Sequence, residues 1–192
     1  VVPQGNHTLD MVVHARDAAG NMGSLTQVLT IDTDVPTNPI VASYTRDAAG
    51  IRTVSIEMTG DQITLTEIEA DGDLSPVDNV ATPIAPLGET LHSFGMITEE
   101  GGFVGGHLPD GSNLLITATD TAGNASGTFL AFDALNTSVI DLAGPGAAGA
   151  RIDAIDLSFA EDSTLTLTEA QILALSPDQR SLTIHGGSDD SL

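Results

Sequence analysis

ATDTAGNAS, residues 118–126, sits between two apolar runs in NLLITATDTAGNASGTFLAFD (113–133), and nearly the same phrase, ARDAAGNMG, occupies 15–23. Asp17 and Asp120, Gly20 and Gly123, and Asn21 and Asn124 all keep one offset of 103 positions. A period of that size belongs to a domain rather than to a solenoid repeat. In each copy an alternating run precedes the phrase and another follows it. Both copies therefore predict two strands joined by a short turn, in which Gly or Asn supplies the positive φ that a tight hairpin demands. In the first copy the strands are NHTLDMVVHARD (6–17) and SLTQVLTID (24–32).

Outward from the first hairpin comes DTDVPTNP (32–39), whose prolines withhold ladder donors and mark a stiff connection. From about residue 40 to 135 short runs rich in Thr, Val and Ile follow one another: PIVASYT, IRTVSIEMTG, QITLTEIEA, ETLHSFGMI, GFVGGHL, NLLITATD and GTFLAFDA. Many short strands punctuated by turns predict an antiparallel β-sandwich rather than a helical or β-α-β fold. The expected division is 1–34 as the C-terminal hairpin of a preceding sandwich, 35–135 as a complete one, and 136–192 as a partial C-terminal segment. A lone hairpin is marginally stable, so residues 1–34 are expected to dock on a neighbour or to pair with another chain.

Beyond GPGAAGA (144–150) the texture changes to RIDAIDLSF, TLTL, one short helix and SLTIHG. Thr168 is the expected N-cap, with Glu169 in the first turn, Ile172, Leu173 and Leu175 apolar, and Ser176-Pro177 as the stop. The fold class is thus mainly β, with a small α+β C-terminal segment.

Composition narrows the functions. The 192 residues hold 41% hydrophobic content but only 3% aromatic, so the core rests on Val, Ile, Leu and Ala. Acids number 27 against five bases, all Arg, for a formal charge of -22. Such a chain repels phosphate backbones and anionic lipid, which argues against nucleic-acid partners and membrane binding, and it attracts cations. Without cysteine there are no disulfides, thiolate metal sites or catalytic thiols. No apolar run approaches the roughly 20 residues needed to span a bilayer. No Gly-x-Ser-x-Gly elbow occurs, and His7, His14, His92, His107 and His185 show no zinc spacing, so they are expected to be exposed or at strand edges. The chain is not expected to be an enzyme.

Ala-x-Asp-x-Ala-Gly-Asn followed by a strand and Asp-x-(Thr/Asp)-x-Pro resembles the bacterial Ig-like repeats of very large surface adhesins exported by type I secretion. ARDAAGN with IDTDVPTNP matches both halves; ATDTAGN with FDALNTSVID matches the first half and lacks the Pro. The run IDAIDLSFAEDSTLTLTEAQILALS (152–176) is similar to a segment near the C-termini of such proteins and of other RTX-type secreted proteins. The resemblance implies tandem Ig-like sandwiches with calcium at their junctions, on a secreted protein of the bacterial cell surface.

Calcium takes six to eight oxygen ligands from carboxylates, amide oxygens and backbone carbonyls. Asp17 and Asn21 at the hairpin turn, with Asp32 and Asp34 in the linker, are the expected junction ligands. Asp120, Asn124 and Asp133 form a second candidate site. The alternative is that Asp-x-Ala-Gly-Asn is turn chemistry alone, since Asp and Asn cap their own backbones. EADGDLSP (69–76) lacks the EF-hand frame and is expected to be a solvated turn. HGGSDDSL (185–192) keeps only a fragment of the RTX nonapeptide order. The expected role is an extender module, stiffened by calcium and partnered by neighbouring Ig-like domains, in a protein supporting adhesion or biofilm formation. The alternative is a calcium-dependent carbohydrate- or peptide-binding module of the same kind of protein, which meets a glycan or protein on a target surface through loops 69–89 and 98–112.

Overall fold

The structure is a computed structural model that describes residues 5–68, 74–109, 111–132, 139–140, 142, 150–176 and 181–192. Asp133, residues 69–73 with their acids, most of the glycine-rich stretch and Pro177 lie outside the described residues. The chain is mainly β, as the alternating runs predict.

The N-terminal hairpin joins β1 (His7–Arg16) to β2 (Met22–Ile31), with His7 opposite Ile31 and Arg16 opposite Met22. A proline-rich linker then leads into a two-layer sandwich. One layer has the order β3 (Val41–Asp47), β4 (Gly50–Glu57), β8 (Glu89–Ile97), β7 (Asn79–Ile84), with β9 (Phe103–Gly105) pairing the far end of β8. The other layer has β6 (Leu74–Pro76), β5 (Gln62–Ile68), β10 (Asn113–Thr119) and β11 (Ala125–Ala131) in antiparallel pairing. Val54, Ile56 and Phe94 from the first layer close on Leu65, Leu114, Ile116 and Leu130 from the second.

The second layer does not stop at β11. β13 (Ala154–Asp156) adds to it in parallel, and β15 (Thr183–His185) adds to β13, giving a six-stranded sheet shared by the sandwich and the C-terminal segment. A further parallel pair joins β12 (Val139–Ile140) to β14 (Thr164–Leu165). Helix α1 (Glu169–Leu175) starts where its residues predict. Thr168 is the N-cap and exchanges hydrogen bonds with Gln171 in a capping box, and Leu175 is buried.

The C-terminal segment covers the outer face of β10 and β11. Leu115 and Phe129 alternate with the sandwich-facing Leu114 and Leu130, and they pack against Ile152, Ile155, Leu157, Leu165 and Leu175. A strand covered on both faces loses hydrophobic alternation, and this accounts for the unbroken Leu114-Leu115-Ile116 and Phe129-Leu130-Ala131 runs. Phe159 reaches around to the other core, where its ring stands edge-on to Tyr44 at 5.4 Å.

His92 departs from the expectation that the histidines are exposed or at strand edges. It is 3% exposed, on the same side of β8 as Phe94, and its Nδ1 lies 2.9 Å from Asn79 Oδ1. Burial pushes its pKa down, so the ring is neutral in the core.

The joint between sandwich and C-terminal segment depends on Gly127. Its carbonyl accepts the Asp153 amide at 2.9 Å, and a Cβ at this position would run into the Arg151 carbonyl. Gly127→Ala is therefore expected to destabilise by about 1–3 kcal/mol, as overpacking against a backbone atom does. Thermal denaturation should show a melting temperature lower by several degrees, with residues 150–192 the first to be cleaved in limited proteolysis. An unchanged melting temperature would contradict this close approach.

Candidate functional site: the linker and the turns it meets

The two copies of the repeated phrase fold alike. Asp17 Oδ1 accepts the amides of Ala19 at 2.9 Å and Asn21 at 2.8 Å, and its Oδ2 accepts Asn21 Nδ2 at 2.7 Å. Asp120 repeats the pattern with Ala122 at 2.8 Å, the Asn124 amide at 2.9 Å and Asn124 Nδ2 at 2.9 Å. Gly20 and Gly123 take φ of 93° and 90°, which an L side chain rarely adopts. Hydrogen bonds from the Asn21 side chain and then its backbone hold the Asp17 carboxyl below the ordinary carboxylate range. The Asn124 side chain does the same for Asp120.

A third copy escaped the sequence reasoning although it is visible in plain text. Arg46-Asp47-Ala48-Ala49-Gly50 repeats residues 16–20 letter for letter. It forms the β3–β4 turn, where Asp47 Oδ1 accepts the Ala49 amide at 2.8 Å. Arg52 takes the place of the Asn, with its Nε 2.6 Å from Asp47 Oδ2. The shared core of all three is thus an Asx turn, and the Asn is one of two ways of occupying the second oxygen.

The expected grouping of Asp17 and Asn21 with Asp32 and Asp34 is not what the structure builds. Asp17 and Asn21 sit at the tip of the hairpin, whereas Asp32 and Asp34 follow its open end, where His7 faces Ile31. Ten residues of strand separate them, roughly 30 Å at about 3.3 Å per residue. The residue that does reach the linker is Asn124, at the tip of the second hairpin. Its Nδ2 donates to the Asp32 carbonyl at 3.3 Å. The junction therefore pairs the linker acids of the first unit with the turn of the second. Asp133 lies outside the described residues.

Three side chains on one face of β11 and its turn hold this linker. Asn124, Ser126 and Thr128 stand two residues apart, so they project to the same side. They donate to the carbonyls of Asp32, of Thr37 at 3.2 Å and of Pro39 at 2.7 Å. Ser126 and Thr128 are buried beneath the linker. Pro36 and Pro39 stiffen the segment and have no N–H, so the linker offers carbonyls to the strand without forming a ladder of its own.

The acids lie just before this strap. Thr33 Oγ1 and the Gly5 backbone exchange hydrogen bonds at 2.9 and 3.2 Å, closing the base of the first hairpin. The Asp34 amide donates to Asp32 Oδ1 at 3.0 Å. The Asn6 carboxamide lies between the two carboxylates, its nitrogen 3.3 Å from Asp34 Oδ2; turned over, it would stand 3.0 and 3.2 Å from the Asp32 oxygens. Asn6 was not singled out from sequence, and its only signal there is its position one residue before β1. The donor set is all oxygen, which suits a hard cation. Among the described residues, no three His, Asp or Glu side chains converge as a ready metal site.

Two outcomes follow from this geometry. Thr128→Val keeps the shape and leaves the Pro39 carbonyl without its donor, so denaturation should show a loss of about 1–3 kcal/mol. In an NMR pH titration Asp120 should protonate below the ordinary carboxyl value, and Asn124→Ala should raise its midpoint by removing the largest cause. Because its folded pKa is lowered, Asp120 contributes stability above its unfolded pKa of about 3.9, and that contribution is lost as the pH falls through the folded value. No family model matches the chain, and neither the curated proteins nor the solved structures contain a match to it.

Proposed function

We propose that this chain is an extender module of a secreted bacterial cell-surface adhesin, in which β-sandwiches are joined end to end and calcium stiffens the junctions. The observation that carries the proposal is the strap. The linker after one hairpin is held at Asp32, Thr37 and Pro39 by three side chains of the next sandwich, two of them buried. A flexible tether would leave such a segment in water; here it closes the flank of the sandwich beside β3. A stalk needs that property, because a load-bearing array loses reach at every free hinge.

Calcium enters where the strap leaves charge uncovered. Asp32 and Asp34 place two carboxylates around one neutral carboxamide, beside the Asn124 turn and carbonyl oxygens. Two close carboxylates repel each other at short range, and a divalent ion removes that repulsion while binding both units. The ligands drawn in this way are Asp32 and Asp34 from the linker with the side-chain oxygen of Asn124, which Asp120 holds in place at the turn. Asp17 and Asn21 would serve the equivalent junction at the other end of the first hairpin.

Titration of calcium into the chelator-treated chain tests this by calorimetry. Binding heat is expected, with a rise in melting temperature that grows with calcium concentration. Asp34→Asn should remove most of both, and Asp17→Asn should leave them intact. Neither heat nor a shift at millimolar calcium would refute the calcium-stiffened junction.

A further inference from the structure

We propose that the β1–β2 hairpin is a docking surface for an apolar β-sheet lobe built like β3–β4–β8 with β5. That lobe would cover one face of the hairpin and the free edge of β1, and leave the other face and the β2 edge in water. The proposal rests on the tandem-sandwich reading above but not on calcium.

The hairpin carries more exposed apolar surface than a soluble ribbon needs. Met11 is 51% exposed, Val13 48% and Leu25 65%, with Leu9 and Leu29 close to half exposed. The register puts these five on one face, where Leu9 stands opposite Leu29 and Val13 opposite Leu25. Gln27, opposite Met11, is the polar residue among them and stands where Leu130 does in the second hairpin, as Leu25 stands where Thr128 does; an exposed face with five large apolar side chains still marks an interaction site.

The molecule holds a second hairpin that shows what covers such a face. At the offset of 103, Met11 corresponds to Leu114 and Val13 to Ile116, both 0% exposed inside the sandwich. Leu29 corresponds to Phe132, in the same core. In that core their partners are Val54, Ile56 and Phe94 of the facing sheet. The free edge of β10 is taken by β5 in antiparallel pairing, and β1 is the counterpart of β10.

The differences between the two hairpins fix the limits of the surface. On the opposite face, Leu115 and Thr117 of β10 answer to Val12 and His14, Asn113 to Asp10, and Phe129 of β11 to Thr26. The second hairpin buries its apolar residues there under the C-terminal segment, whereas the first is largely polar on that side. Gly127, which allows the backbone of residue 151 to approach β11, corresponds to Ser24. A Cβ at that place blocks a strand laid down as β13 is, so the β2 edge takes no such partner. The hairpin strands and turn hold Asp10, Asp17 and Arg16, and are close to neutral in a chain of net charge -22. Charge repulsion at this element is therefore low.

The test extends the full chain by a copy of residues 35–103 placed directly ahead of Val1, which restores the 103-residue offset. Hydrogen exchange across residues 9–13 and 25–29 should slow by about 100-fold or more, as befits a ribbon moved from a marginal hairpin into a cooperative core. Val13→Asp should abolish the slowing and Ser24→Asp should leave it. Unchanged exchange, whether or not the added copy folds, would overturn the proposal, as would equal effects of the two substitutions. Concentration-dependent slowing in the original 192-residue chain would assign the face to a second copy and overturn it as well. Failure of calcium binding would leave these outcomes untouched.

Discussion

The β10–β11 ribbon is buried on both faces, and both cores are built against it. One face completes the sandwich through Leu114, Ile116 and Leu130, and the other carries the C-terminal segment through Leu115 and Phe129. At about 25 cal/mol per Å² of apolar area removed from water, a ribbon covered on both sides holds two cores together through one set of backbone hydrogen bonds. The linker depends on it too, because Ser126 and Thr128 are fixed in direction by the same strand. The turn at 120–124 stands where the ribbon reverses, so its Asx geometry sets the position of Asn124 against Asp32.

Local chemistry was legible in the sequence, and distance was not. The hairpin turns and the capped helix depend on residues within four positions of each other, and there residue type decides conformation. Asp17 and Asp32 look like neighbours in the text, but between them β1 turns into β2, and a ten-residue strand carries the turn roughly 30 Å from the linker. The partner of Asp32 comes from 92 positions further along the chain. Parallel addition of β13 and β15 was hidden for the same reason, since three-residue strands carry little periodic signal of their own. One long-range fact was nonetheless written out: Leu-Leu-Ile and Phe-Leu-Ala are too continuous for a strand with one wet face.

His92 and the third Asp-Ala-Ala-Gly copy show two other limits. No motif marks a histidine for burial; the signal is only its even spacing from Phe94 on a strand, and Asn79 satisfies one of its nitrogens from a neighbouring strand. The 46–50 copy lacks the Asn, and a search built on the full phrase passes over it. Its value lies in separating the parts of the motif. Asp, Ala and Gly make the turn in all three, while Asn or Arg completes the carboxylate.

This separation bears on how so acidic a chain holds together with five arginines. Asp17, Asp32, Asp47, Asp120 and Asp156 each accept the backbone amide two residues on. Asp190 pins the C-terminal tail by accepting the amides of Ser163 and Gly187. Amide donors thus stand in for basic side chains, and the acids become part of the turns rather than a diffuse negative shell. A carboxylate already committed to two or three amides has less to offer an ion than one held by a single neutral carboxamide. By that criterion the acids at the turn tips position the junction, and Asp34, which meets the Asn6 side chain, is the carboxylate with the most charge left for a cation. The same reasoning separates two meanings of an acid-rich sequence: aspartates such as Asp17, Asp47 and Asp120 build corners, and in the linker Asp34, which meets a side-chain carboxamide, is where charge remains available for binding.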